Sequence, residues 1–191
     1  GYRIIPFDTT LATRETVILV GNPGPNGLDD SLYCPLIEII KRGNKAIFLA
    51  PEAFKRGDDP VALLPIKNKG TLTTFPDWLY HKECILNWYI GYGDTPRPGI
   101  MDWDYWGPVI SNRFFEGQDK ADKTYAAAFA VCHSSRPDGY ASGLMIAKYS
   151  LDKGKFIVNT FNILPNLAKH PAAGLLLYSL IFSNERNCDY W

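Results

Sequence analysis

No block of lysine and arginine, no C-x-x-C pair and no apolar run long enough to cross a bilayer occurs in this chain. Each absence removes a class of function. The 20 basic residues balance the 20 acidic ones, so the electrostatic footprint of a nucleic-acid or anionic-membrane binder is missing, and neither partner is expected. The longest apolar stretches, Ala126–Cys132 and Gly174–Phe182, fall well short of the roughly 18 residues that a spanning helix needs. A soluble module without a membrane partner is the expectation.

Cysteine and histidine are sparse and scattered. Cys34, Cys84, Cys132 and Cys188 lack zinc or redox spacing, and read as buried thiols with a single disulfide as the alternative. His81, His133 and His170 lie far apart, none with an acid-paired i, i+4 partner, so neither a metal nor a cofactor is expected. The chain opens on Gly1, with no signal-peptide pattern, and reads as a fragment of a larger multidomain protein. Its 191 residues suffice for one domain with its own core, so residues 1–191 are expected to form a single unit.

Alternating strands and helices are what the chain does contain. Thr16–Val20 is a continuously apolar, β-branched run that stops at a glycine- and proline-rich loop, as a buried parallel strand does. Leu32–Arg42 then sets Leu32, Leu36, Ile39 and Ile40 on one helical face, with Pro35 in the first turn and Gly43 as C-cap. Ala46–Ala50 follows as a second buried strand. Residues 75–92 are aromatic-rich and only loosely helical in period. Tyr125–Cys132, Leu144–Tyr149 and Lys155–Thr160 read as strands, the last two joined by a hairpin at Asp152 to Gly154. A helix from Pro171 through Phe182 closes the pattern, with His170 at its start. Together these predict an α/β fold: a three-layer doubly wound sheet, mainly parallel with an antiparallel edge.

Chemistry is harder to find. The loop Gly21 to Gly27 follows a strand, as a phosphate cradle would, but matches no nucleotide motif, and Pro23 and Pro25 remove donors from it. No G-x-C-x-G or G-x-S-x-G elbow occurs. The nearest approach to a reactive pair is Cys132 beside His133, yet neighbours on an extended chain face opposite ways, and a strand-end thiol next to a polar loop residue is the plainer reading. Cys84 is no better placed. The paired carboxylates Asp29/Asp30 and Asp102/Asp104 invite comparison with a glycosidase, although Asp pairs are ordinary in turns. The most distinctive stretch is Gly99–Pro108, where Trp103, Tyr105 and Trp106 alternate with Asp102 and Asp104. Aromatic faces beside carboxylates can stack on and hydrogen-bond to sugars, or anchor an interface; packing against the sheet edge is the plainer alternative.

With the Met101–Pro108 stretch and the closing pattern of Gly154–Thr160, His170–Ala173 and Leu176–Ile181, the chain from Thr16 to Phe182 resembles a known family. It is similar to the class I glutamine-amidotransferase-like accessory domain, flavodoxin-like in architecture, found toward the C-terminal side of certain bacterial glycoside hydrolases, including β-galactosidase-like members of family 2. The resemblance implies a noncatalytic module in carbohydrate metabolism, because such domains generally lack the Cys–His–Glu machinery and the glycosidase carboxylates lie on a separate barrel. It implies the parent's other domains as partners, with carbohydrate or a second copy as further ones. A secreted or periplasmic location is implied if the parent degrades polysaccharide. Two alternatives stand beside it: a carbohydrate-binding module using Trp103–Trp106, and a small hydrolase or amidotransferase using Cys132 or Cys84 with His133.

Overall fold

The computed structural model describes residues 5–8, 16–74, 84–90, 107–132 and 140–182. Strand β1 (Val17–Val20), helix α1 (Asp30–Lys41) and strand β2 (Lys45–Phe48) form the expected unit, with β1 and β2 parallel. Asp29 caps α1 by accepting from the Ser31 N–H at 2.9 Å, so the helix begins two residues earlier than its apolar face suggests. Pro35 consequently sits inside the helix rather than in its first turn, where it supplies no donor to the preceding turn. Gly43, at φ 115°, ends the helix, its N–H bonding to the Ile40 carbonyl at 2.9 Å.

Asn44 then ties three elements together from a nearly fully buried position. Its side-chain amide donates to the Ile39 carbonyl at 2.8 Å, its Oδ1 accepts from the Thr16 N–H at 3.1 Å, and its carbonyl accepts from the Lys155 N–H at 3.1 Å. The last turn of α1, the start of β1 and the start of the final strand, at Lys155, therefore meet at one polar residue whose donors and acceptors are used.

Strands β3 (Thr71–Thr74), β4 (Cys84–Ile90), β5 (Arg113–Glu116), β6 (Lys123–Cys132), β7 (Tyr140–Leu151) and β8 (Gly154–Asn159) complete the sheet. Among the described residues it has eight strands in the order β1-β2-β8-β7-β5-β3, with β6 also on β7 and β4 on β6. The architecture is α/β with a mixed open sheet. Parallel pairing joins β1, β2 and β8. From β8 outward every pairing is antiparallel, so the antiparallel part is a larger share of the sheet than an edge. The cause is local: Asp152 and Lys153 make a two-residue turn, with Asp152 at φ 55°, that folds β7 directly back on β8. The aromatic stretch with loose helical period also changes character, because Cys84–Ile90 is a strand paired with β6. Ile85, Trp88, Tyr89 and Ile90 are strand formers, and β6 offers them an antiparallel edge that outweighs weak local periodicity.

Alternation along the central strands sorts the core into two. Ala46 and Phe48 of β2 and Phe156 and Val158 of β8 pack with Leu36, Ile39 and Ile40 of α1. Ile47 and Ile157, from the same strands, pack instead with Ile163 of helix α2 (Ile163–Asn166) and with Ala172, Ala173, Leu176 and Leu180 of helix α3 (Pro171–Phe182). Aromatic contacts concentrate on the α1 side. Phe48 lies 4.5 Å from Phe54 and 6.2 Å, edge-on, from Phe156, while Tyr149 stacks on Phe156 at 5.4 Å between ring centres. No described helix is long and apolar enough to cross a membrane.

Tyr149 makes this core sensitive to alkali. Burial, with Asp119 and Asp122 adding negative charge nearby, pushes its phenol from 10.0 up to about 12. Its hydroxyl donates to the Asp119 carbonyl at 3.3 Å. The raised value means that the folded state holds the proton more tightly than the unfolded chain. That contribution is complete below pH 10 and is lost as pH climbs from 10 through about 12. Tyr33 adds a similar alkaline term, since burial and then Cys34 raise its hydroxyl to about 12. Urea midpoints followed upward from neutral pH should hold steady and then fall across this window, and Tyr149→Phe should make the fall shallower. An alkaline limb identical in the variant would contradict the assignment.

Candidate interface

Asp102, Trp103, Asp104, Tyr105 and Trp106 lie outside the described residues, and so does His133. The segment just after the aromatic stretch is firmly held. Gly107–Val109 forms a 3-10 turn, and Pro108 offers its carbonyl to the side-chain amides of Asn162 and Asn166 at 3.3 and 3.2 Å. The Asn162 N–H also donates to the Val109 carbonyl at 2.8 Å. The chain leaving Trp106 is thus anchored just beyond the C-terminal end of β8. Neither asparagine stood out in the sequence, because side-chain bonds to a distant backbone leave no periodic trace.

Cys132 is the last residue of β6, and the next described element is β7, its antiparallel neighbour. Among the described residues no group of three His, Cys, Asp or Glu side chains is arranged to hold a metal ion.

The other strand ends use their polar groups internally. In the loop after β1, the Gly24 N–H bonds to Asn22 Oδ1 at 2.8 Å and the Gly27 N–H to the Gly24 carbonyl at 3.3 Å. At the following helix start, Asp29 takes the Ser31, Leu32 and Tyr33 N–H groups, and Asp30 adds a second carboxylate. An anion would meet occupied donors and negative charge there. Past β2, Glu52 is ion-paired with Arg113 at the head of β5, and Asp30 with Arg56. Asn159 is fully buried; its amide donates to the Leu49 and Phe161 carbonyls at 3.1 and 3.0 Å, and its Oδ1 accepts from the Phe161 N–H at 3.0 Å.

Helix α3 is the element whose surface is out of keeping with solvent. A helix lying on a sheet ordinarily carries an apolar stripe inward and charge outward. Residues 171–182 contain no charged side chain at all. Ala172, Ala173, Leu176 and Leu180 face the sheet, while Leu175 and Tyr178 stand 46% and 61% exposed on the other side. Tyr178 packs against Phe182 with ring centres 4.4 Å apart. The helix is positioned from both ends. His170 Nδ1 accepts from the Ala172 N–H at 3.3 Å, and the buried Lys45 Nζ donates to the Leu180 carbonyl and, at 3.2 Å, to that of Ile181. Leu19 of β1, 42% exposed, belongs to the same side of the sheet, since its neighbours Ile18 and Val20 point into the α1 core and Val17 packs with the α3 core. Leu167, between α2 and α3, is also exposed. The lack of charge over 171–182 is visible in the sequence; which residues are left outside is not, because a helix with no charged side to mark its solvent face carries little to orient it.

Against protein-family models, curated proteins and solved structures, the chain matches none.

Proposed function

We propose that the chain is a noncatalytic accessory module of a glycoside hydrolase, with the three-layer doubly wound architecture of the class I glutamine-amidotransferase-like domains, and that it packs on the parent enzyme's other domains. The observation that carries this reading is the uncharged helix α3 with Leu175 and Tyr178 turned outward, since depletion of charge together with an aromatic side chain is the compositional mark of an interface core. One further feature supports it. Separate cores with α1 on one side of the sheet and α2 and α3 on the other fit three layers. A carbohydrate-binding role for Trp103–Trp106 is the second reading; it rests on aromatics interleaved with carboxylates, and calorimetric titration with glycans against Trp103→Ala and Trp106→Ala tests it.

The gene product containing this chain should hydrolyse an aryl glycoside, and the chain alone should hydrolyse neither glycoside nor glutamine. Within that gene product, Leu175→Glu with Tyr178→Glu should raise the rate of limited proteolysis between the module and its neighbours about tenfold, the loss of about 1.4 kcal/mol of docking. Turnover by the isolated chain that one point mutation abolishes would overturn the noncatalytic assignment. Unchanged proteolysis of the double variant would remove α3 as the docking face.

A further inference from the structure

Strands β4 and β6 run antiparallel, and their register sets Cys84 directly opposite Cys132. The ladder continues from Ile85 opposite Val131 to Ile90 opposite Ala126 without a shift. The two cysteines, first residue of β4 and last of β6, therefore close one end of a regular ladder. Directly opposed residues in such a pair have Cα atoms about 4.5 Å apart at a non-hydrogen-bonded position or about 5.5 Å at a hydrogen-bonded one. Disulfides span Cα separations of about 4.4–6.8 Å, so either kind of position admits the bond. The strand that the bond would secure is peripheral: among the described residues β4 pairs with β6 and with no other strand.

We propose that Cys84 and Cys132 form a cross-strand disulfide that staples β4 to the sheet and closes the loop of residues 85–131. The oxidant is a small-molecule disulfide such as oxidised glutathione. One cysteine, as thiolate, attacks it; the small S–S bond breaks, one small thiol leaves and a mixed disulfide remains. The second cysteine thiolate attacks the protein-bound sulfur and displaces the other small thiol. Two protein thiols have then given up two protons and two electrons, and the small disulfide has become two thiols. Cys34, a free exposed thiol on α1, stays outside the bond. The inference rests on the β4–β6 register and is independent of the docking face on α3. It also takes Cys132 out of use as a nucleophile wherever the bond is formed.

The test is to equilibrate the purified chain with oxidised glutathione, trap remaining thiols with N-ethylmaleimide and digest it without reductant. The expected product is one linked peptide pair carrying Cys84 and Cys132, two hydrogens lighter than the separate peptides, with Cys34 alkylated. Reductant should lower the melting midpoint of the oxidised chain by about 10 °C, given the length of the closed loop. A Cys84→Ala, Cys132→Ala double variant should melt at one temperature with or without reductant. Alkylation of both Cys84 and Cys132 after equilibration, or linkage of either to Cys34 or Cys188, would overturn the proposal.

Discussion

Replacing Gly154 with alanine is expected to destabilise the fold by about 3 kcal/mol, at the upper end of what one added methyl does in a packed core. Gly154 opens β8 immediately after the Asp152–Lys153 turn and is buried. A Cβ at this position would overlap the Ile40 carbonyl oxygen and lie 2.5 Å from that of Asn44. Both obstacles are backbone, and both are already engaged: the Ile40 carbonyl receives the Gly43 and Asn44 N–H groups, and the Asn44 carbonyl receives that of Lys155. Neither can rotate aside as a side chain would. Relief requires α1 to lift from the β7–β8 hairpin, which opens the core around Ile39, Ile40 and Phe156. Gly21→Ala is the matched control, since its added methyl meets nothing within 4 Å and should shift stability by no more than about 0.5 kcal/mol. Urea denaturation at constant m-value measures the difference, and equal midpoints for the two variants would show that α1 does not press on Gly154.

That glycine shows how the sequence carries structural information unevenly. The Gly154–Thr160 pattern is legible as a strand, but the reason for its first residue is a helix near the other end of the chain, Asp30–Lys41, whose last turn lies against it. Elements with strong internal patterns emerge as expected: β1, α1, β2, the β7–β8 hairpin and α3. Elements that exist only through pairing do not. β3 and β5 are four-residue strands joined to each other, with Thr71–Thr74 partly exposed, and neither carries an apolar run that would announce it. β4 reads as loosely helical until β6 supplies its hydrogen bonds. The polar ties of Asn44, Asn159, Asn162 and Asn166 escape for a related reason, as each depends on a carbonyl or N–H brought close by the tertiary fold. The candidate interface was half legible. An uncharged run at 171–182 is plain in the sequence, whereas the exposure of Leu175 and Tyr178 requires knowing which side of α3 meets the sheet.

Phe156→Ala should produce the second large loss, about 4 kcal/mol. The ring is fully buried on β8, edge-on to Phe48 and stacked on Tyr149, and it belongs to the core that α1 covers. Truncation removes its burial and leaves a void bounded by strands and a helix that cannot close around it, so transfer and cavity terms add. Phe156→Leu retains much of the volume and should lose less than half as much. Tyr178→Ser offers the informative comparison. It too deletes an aromatic ring, but one 61% exposed whose packing partner is Phe182 on the same helix, so the isolated chain should lose no more than about 1 kcal/mol. If Tyr178→Ser matched Phe156→Ala in the isolated chain, the outer side of α3 would be part of the folding core and not a surface held for a partner. If it is nearly silent there yet loosens the module within its parent, the same ring separates the two roles: buried aromatics hold the sheet to α1, and exposed ones on α3 are kept for docking.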